Sequence, residues 1–235
     1  MLAFVGGFID AAGYLKLQGV FTSSITGNLV VTCASVSSMN GVICRSTISL
    51  AFTLAGGLGA AIALRTRISN IFSQGNIAIF LFCLEAITLI IVWIVGLHLD
   101  HLISSSKNLD DWYVVLVGCI MGASMGFHNI AAKEAVPNCP PTTVMTSTLI
   151  NVASHAANSA VYSLATMGCD EEVKKRTLQG KTTDARGKLA TTSQPLIAFL
   201  AGAVIGALIM YHGTFWSMAV PLFIILTLIA SLHAR

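Results

Sequence analysis

Residues 7–30, GFIDAAGYLKLQGVFTSSITGNLV, return in altered form as GFHNIAAKEAVPNCPPTTVMTSTLI over residues 126–150. Gly7, Phe8, Asp10 and Ala12 fall on Gly126, Phe127, Asn129 and Ala131. After one inserted residue, Thr26, Leu29 and Val30 fall on Thr146, Leu149 and Ile150. The match reads as an internal duplication with a period of about 120 residues, and a duplication constrains a fold strongly because each copy is expected to build a related unit. Both copies interrupt apolar sequence with Gly, Pro or Thr, and each carries a carboxylate or an amide at one matching place, Asp10 or Asn129. Paired interruptions of this kind are the sequence pointer to a transporter-like binding site.

Composition identifies the solvent around these blocks. With 55% hydrophobic and 10% charged residues, and a mean hydropathy of +0.80, the chain lies far from soluble proteins, in which about a quarter of residues are charged. Eight apolar segments can be marked, at 1–14, 24–36, 48–64, 77–97, 112–132, 141–165, 196–211 and 215–232, four to each copy. The expected fold is therefore all-α and integral to a membrane. It is a two-repeat helical bundle within a single membrane domain, 1–235, with repeat one over about 1–98, repeat two over about 112–232, and a broken helix in each half. A helix needs about 20 apolar residues to cross the hydrocarbon, and segment 24–36 falls short of that. The first segment is short as well. The apolar run before Phe127 reaches back to Trp112, whereas Phe8 has only seven residues before it. By this comparison the first helix is expected to be truncated by somewhat over two turns, at about 3.6 residues per turn.

Charge placement selects among topologies, because cytoplasmic loops carry the excess of Lys and Arg. If each block forms one broken crossing, Arg65, Arg67, the basic residues of the polar stretch 170–194 and Arg235 share one side, and Asp100, Asp110 and Asp111 lie opposite. Six crossings with both termini inside are preferred, which makes the repeats inverted; eight crossings are the alternative and make them parallel. The 170–194 stretch then reads as a flexible cytoplasmic loop. A lipid-headgroup patch around Lys174, Lys175 and Arg176 is the less favoured reading, because four acids share the stretch.

The two blocks carry a resemblance. Through Gly7, Asp10, Thr26, Gly27 and Asn28, then Asn129, Pro141, Thr142, Thr143, Thr146 and Leu149, the chain resembles the YoaK-like family of multi-pass membrane proteins, a domain of unknown function. The resemblance spans nearly the whole chain and implies an integral membrane protein, without bringing a substrate or reaction. Ser147 departs from the family pattern, which has glycine there in many members.

The candidate substrate-binding residues are Asp10 and Asn129, at the start of each interruption, and Thr26, Gly27, Asn28, Thr142, Thr143 and Thr146, near a helix restart. Two helix N-termini facing the midplane would offer unpaired N–H groups and partial positive charge to a polar or anionic ligand. Against this stands the reading that the same groups only satisfy broken backbone, with Asp10 acting as a cap. Asp10, Glu85 and His128 are candidates for proton coupling. Ionisable groups inside membrane segments are costly unless paired, hydrated or neutralised, and Glu85 lies in the middle of IAIFLFCLEAITLIIVWIVGL. A carboxyl hydrogen-bonded to a neighbouring helix, and a packing role for His128, are the structural alternatives.

The glycine-rich third segments, LAGGLGAA and LAGAVIGA, suit close helix packing, either within the chain or in a homo-oligomer. Pro221 is expected to bend the last segment. The six cysteines show no C-x-x-C spacing, and no histidine stands at metal-ligand distance from them, so no metal or cofactor is expected. A net charge of +3 gives no case for nucleic-acid binding. There is no nucleophile with a base at recognisable spacing and no phosphate loop, so the expectation is not an enzyme. It is a secondary transporter of a small polar or anionic solute, proton-coupled, whose partners are the lipid bilayer and that solute, in the plasma membrane. The alternative is a membrane scaffold or regulatory subunit. Cysteine labelling in an otherwise cysteine-free chain is expected to reach positions near Arg67 and Lys181 from the same side of the membrane; labelling from opposite sides gives the eight-crossing topology.

Overall fold

The computed structural model describes residues 1–69, 74–136, 145–168 and 171–234, together with their side chains apart from those of Gln74 and Thr146. Among the described residues eight α-helices run in order: α1 (Leu2–Lys16), α2 (Ile25–Ala34), α3 (Val42–Ile68), α4 (Gln74–Ser105), α5 (Trp112–Ala135), α6 (Met145–Met167), α7 (Glu172–His212) and α8 (Ala219–His233), with a 3-10 turn at Phe215–Met218 before the last. No strand occurs among the described residues. Each apolar segment of the sequence overlaps one helix. Among the described residues five helices are long and apolar enough to cross a bilayer: α3, α4, α5, α7 and α8 with its preceding turn. The chain is an all-α, multi-pass integral membrane protein.

Two stretches differ from the sequence reading. The polar residues expected to form a flexible loop are helical from Glu172 onward, as the first half of α7. Acids placed four residues ahead of bases favour helix here: Glu172 lies 3.6 Å from Arg176 and Asp184 2.8 Å from Lys188. Pro221 was expected to bend α8, but it sits in that helix's first turn, where a missing N–H is harmless.

The chain divides into two compact units, Met1–Thr143 with Phe199–Arg235, and Val144–Ala198. Within the first, α5 is the central helix, buried along most of its length and packed chiefly on α3 and α4. Polar contacts sort the helix ends into two faces. Lys16, at the end of α1, lies 2.7 Å from Asp100 near the end of α4. The Gly41 and Cys44 amides at the start of α3 donate to Asp110, just ahead of α5, at 3.0 and 2.8 Å. Phe215, between α7 and α8, packs beside Gly96 of α4. At the other face Arg67 ends α3 and lies 2.6 Å from Glu134 at the end of α5. Helices α1, α3, α4, α5, the last turns of α7 and α8 therefore alternate in direction. On the first face the Asp111 carboxyl is held below its usual range by hydrogen bonds from the Tyr113 and Ser106 hydroxyls.

Glycine sets the closest contacts, because helices in lipid associate by close packing. Gly118, Gly122 and Gly126 form one stripe of α5, against Ile48, Phe52 and Gly56 of α3. Gly202 and Gly206 of α7 lie against the Phe4 and Phe8 backbones of α1, and Gly7 of α1 lies against the Phe199 carbonyl. In both pairs the contacts advance in step along the two helices, so α3 runs parallel to α5, and α1 to the end of α7. A Cβ on Gly126 would stand 2.5 Å from the Phe52 oxygen and 2.9 Å from the Gly56 nitrogen, both backbone atoms, whereas one on Gly57 would meet nothing within 4 Å. Gly126→Ala is expected to destabilise the protein by about 1–3 kcal/mol, the usual range for overpacking, and Gly57→Ala by no more than about 0.5 kcal/mol. Thermal unfolding in detergent reads the difference.

Candidate functional site

The first interruption is a break between helices. Leu17 closes α1, and Gln18 and Gly19 take left-handed conformations, with φ of 51° and 91°. The Gly19 amide returns to the Tyr14 carbonyl at 2.8 Å, a hydrogen bond typical of a helix ended by a left-handed turn. Residues 20–24 then run back along α1 as far as Asp10. The Asp10 carboxylate accepts hydrogen bonds from the amides of Thr22 (2.9 Å), Ser23 (2.8 Å) and Ser24 (3.4 Å), and from the Ser24 hydroxyl at 2.5 Å. Three backbone donors just ahead of α2 are thus satisfied by one side chain, six residues before the end of the previous helix.

Asn28, fully buried on α2, holds the same loop from the other side. Its amide donates to the Phe21 carbonyl at 2.6 Å and accepts from the Phe21 amide at 2.9 Å. Gly27 lets the Phe21 ring approach, since a Cβ there would lie 3.2 Å from it. Thr26 is exposed on α2. On α5, Asn129 is buried and donates to the Met125 carbonyl one turn back, at 2.8 Å. Thr142, Thr143 and the side chain of Thr146 lie outside the described residues; α5 ends at Ala135 and α6 begins at Met145.

A hollow of about 350 Å³ adjoins the first break, lined by Gly7, Asp10, Tyr14, Phe21 and Ser24, and by Phe199, Ala203 and Ala207 of α7. Its walls are apolar except at Asp10 and Ser24. The α7 wall was not among the sequence candidates, although small residues four apart, Ala203 and Ala207, are the signal that could have marked it.

The structure separates the three proton-coupling candidates. Asp10 belongs to the break, whereas Glu85 of α4 and His128 of α5 meet each other. Both are fully buried, with His128 Nδ1 2.9 Å from Glu85 Oε1. His128 Nε2 lies 3.2 Å from the Leu2 carbonyl oxygen of α1. A carbonyl only accepts, so Nε2 carries a hydrogen. One further hydrogen then serves the Nδ1 to Oε1 contact. The pair is either a carboxylic acid donating to a neutral imidazole or an imidazolium donating to a carboxylate, and its net charge is zero in both forms. Neutrality suits a low-dielectric interior, where an uncompensated charge is far more costly. Glu85 Oε2 is buried without a hydrogen-bond partner. Among the described residues, no three His, Cys, Asp or Glu side chains converge as a metal site would require.

Removing the Asp10 carboxylate separates fastening from charge. Asp10→Ala leaves three amides of the break without their acceptor and is expected to cost about 3 kcal/mol or more, at roughly 1–3 kcal/mol for each buried group left unsatisfied. Asp10→Asn keeps an acceptor oxygen for the amides and offers N–H to Ser24, so it is expected to stay within about 1.5 kcal/mol of the parent. Unfolding temperatures of the two variants in the same detergent check the order.

No curated protein matches this chain at a significant level, and no solved structure does. A family match does cover residues 1–231, nearly the whole chain: the chain belongs to the family described as "Protein of unknown function (DUF1275)".

Proposed function

We propose that this protein is a secondary transporter of a small polar solute, with the Glu85–His128 pair as its proton-carrying element, acting in the plasma membrane without catalysing a reaction. The observation that carries the reading is the pair itself. Two titratable side chains on different helices meet at full burial, share one proton, and leave Glu85 Oε2 unpartnered. Buried polar groups almost always find partners, and an intramembrane ionisable group is a functional candidate by default. The oxygen is where a second proton would bind.

The hollow at the first break supports a solute path beside α1. Its chemistry narrows the solute class. The amides ahead of α2 would have drawn an anion, but the Asp10 carboxylate already occupies them. An uncharged or cationic polar solute fits this wall better than an anionic one. The helix pairing supports two inverted halves. The first helix of one copy, α1, pairs with the third of the other, α7, and α5 pairs with α3 in the same way, while α1 and α5 run in opposite directions.

A scaffold without transport is the second reading. What favours it is that Asp10 and Asn28 are both engaged in holding the break together. Proteoliposomes with a pH-sensitive dye inside separate the two. A solute found by thermal-shift screening of the purified protein, where binding raises apparent stability by mass action, is expected to drive proton movement in the parent. Glu85→Gln is expected to abolish that movement while leaving the unfolding temperature change on solute addition in place. If no solute shifts stability and Glu85→Gln alters only the unfolding temperature, the scaffold reading stands.

A further inference from the structure

A second hollow lies wholly within Val144–Ala198 and shares nothing with the pair or the break. It measures about 610 Å³ and is lined by Ser163 and Thr166 from the end of α6 and by Lys175, Gln179, Thr182, Thr183 and Arg186 from the first half of α7. The α7 positions advance by steps of four, three, one and three, which keeps them on one face of the helix. Lys181 anchors the two helices from the side, its ammonium 5.8 Å from the centre of the Tyr162 ring.

The lining is rich in donors and includes the two cations Lys175 and Arg186. Among the described residues, none that lines the hollow carries a carboxylate. Glu172 and Asp184 instead face Arg176 and Lys188, so Lys175 and Arg186 have no ion-pair partner among the described residues. The hydroxyls of Thr166, Thr182 and Thr183 donate to carbonyls one turn back, at 2.7, 2.9 and 3.0 Å, and are not available as donors. The Ser163 hydroxyl and the Gln179 amide have no such partner among the described residues. Two cations, an amide and a hydroxyl therefore line one space. Lys175 and Arg186 are eleven residues apart, about 16 Å along the helix at 1.5 Å per residue, more than one phosphate group spans. Oxyanions are the groups that accept several charge-assisted hydrogen bonds at once, and phosphate is the one a guanidinium and an ammonium both bind well.

We propose that the hollow between α6 and the polar half of α7 binds a multiply charged phosphate, held at its ends by Lys175 and Arg186 and between them by Gln179 and Ser163. Two sources have this chemistry: the headgroup of a bisphosphorylated inositol lipid and a soluble diphosphate. The site is independent of the transport reading and stands or falls without it.

Binding to the full-length protein tests it in two arms, inorganic pyrophosphate added in detergent, and nanodiscs of phosphatidylcholine with or without a bisphosphorylated phosphatidylinositol. Binding in the first arm identifies a soluble ligand; binding in the second alone identifies the headgroup. In whichever arm binds, Lys175→Gln with Arg186→Gln is expected to weaken affinity by about tenfold or more, a change of about 1.4 kcal/mol per factor of ten. Lys174→Gln with Arg176→Gln removes the same formal charge from positions that do not line the hollow, and is expected to change affinity by less than about twofold, the scale of surface charge effects in salt. Circular dichroism checks that both double variants keep their helix content. Absence of binding in both arms overturns the proposal. So does equal weakening by the two double variants, which would reduce the effect to general attraction of anions to a basic helix.

Discussion

Broken backbone in a membrane must be satisfied from within the protein, since lipid offers no hydrogen bonds. At the first break this requirement falls on one side chain. Asp10 takes the amides of Thr22, Ser23 and Ser24, and Asn28 pairs with Phe21 as a neighbouring strand would. With both in place, α2 can begin beside the middle of α1, and its ten residues suffice because they start inside the bundle. The left-handed turn at Gln18 and Gly19 makes the reversal, and the carboxylate holds the returning chain against the helix it has just left.

Close packing then sets how the helices run. Where Gly126 meets Phe52 and Gly56, and Gly202 and Gly206 meet Phe4 and Phe8, two backbones approach without side chains between them. Such contacts do not depend on expulsion of water, which is absent from lipid, and gain instead from dispersion over many atoms and from shape. The glycines that composition alone left open to a homo-oligomer are engaged within the chain at Gly56, Gly202 and Gly206. Gly57 is the member of its run that faces open space.

The sequence made the elements legible because apolar runs in a membrane chain are helices almost by necessity. Eight runs became eight helices, and the first break fell at Gly19, where glycine had suggested it. Two things were less legible for identifiable reasons. Mixed charge made residues 172–194 look like a loop, although Glu172 with Arg176 and Asp184 with Lys188 keep the four-residue spacing of a helix. Candidate residues could be named without their partners. Glu85 and His128 are 43 positions apart, and no local pattern links them, because their contact depends on how α4 packs against α5. Asp10 was equally ambiguous in sequence, where a cap and a ligand group look alike, and its amide partners lie twelve to fourteen positions away, beyond any local pattern.

The buried acids of the membrane region therefore differ in what they can do. Asp10 accepts from three amides and the Ser24 hydroxyl, and those contacts hold the break closed. Glu85 has no such ties beyond His128, and one of its oxygens is unpartnered. A proton can move between Oε1 and Nδ1 without changing the net charge of the pair or breaking the contact that joins α4 to α5. The Nε2 bond to Leu2 extends this linkage to α1, the helix that carries Asp10 and borders the hollow at the break. The first turn of α1 is thereby fastened to α5 at the same imidazole that meets Glu85 of α4, so three helices share one buried polar junction.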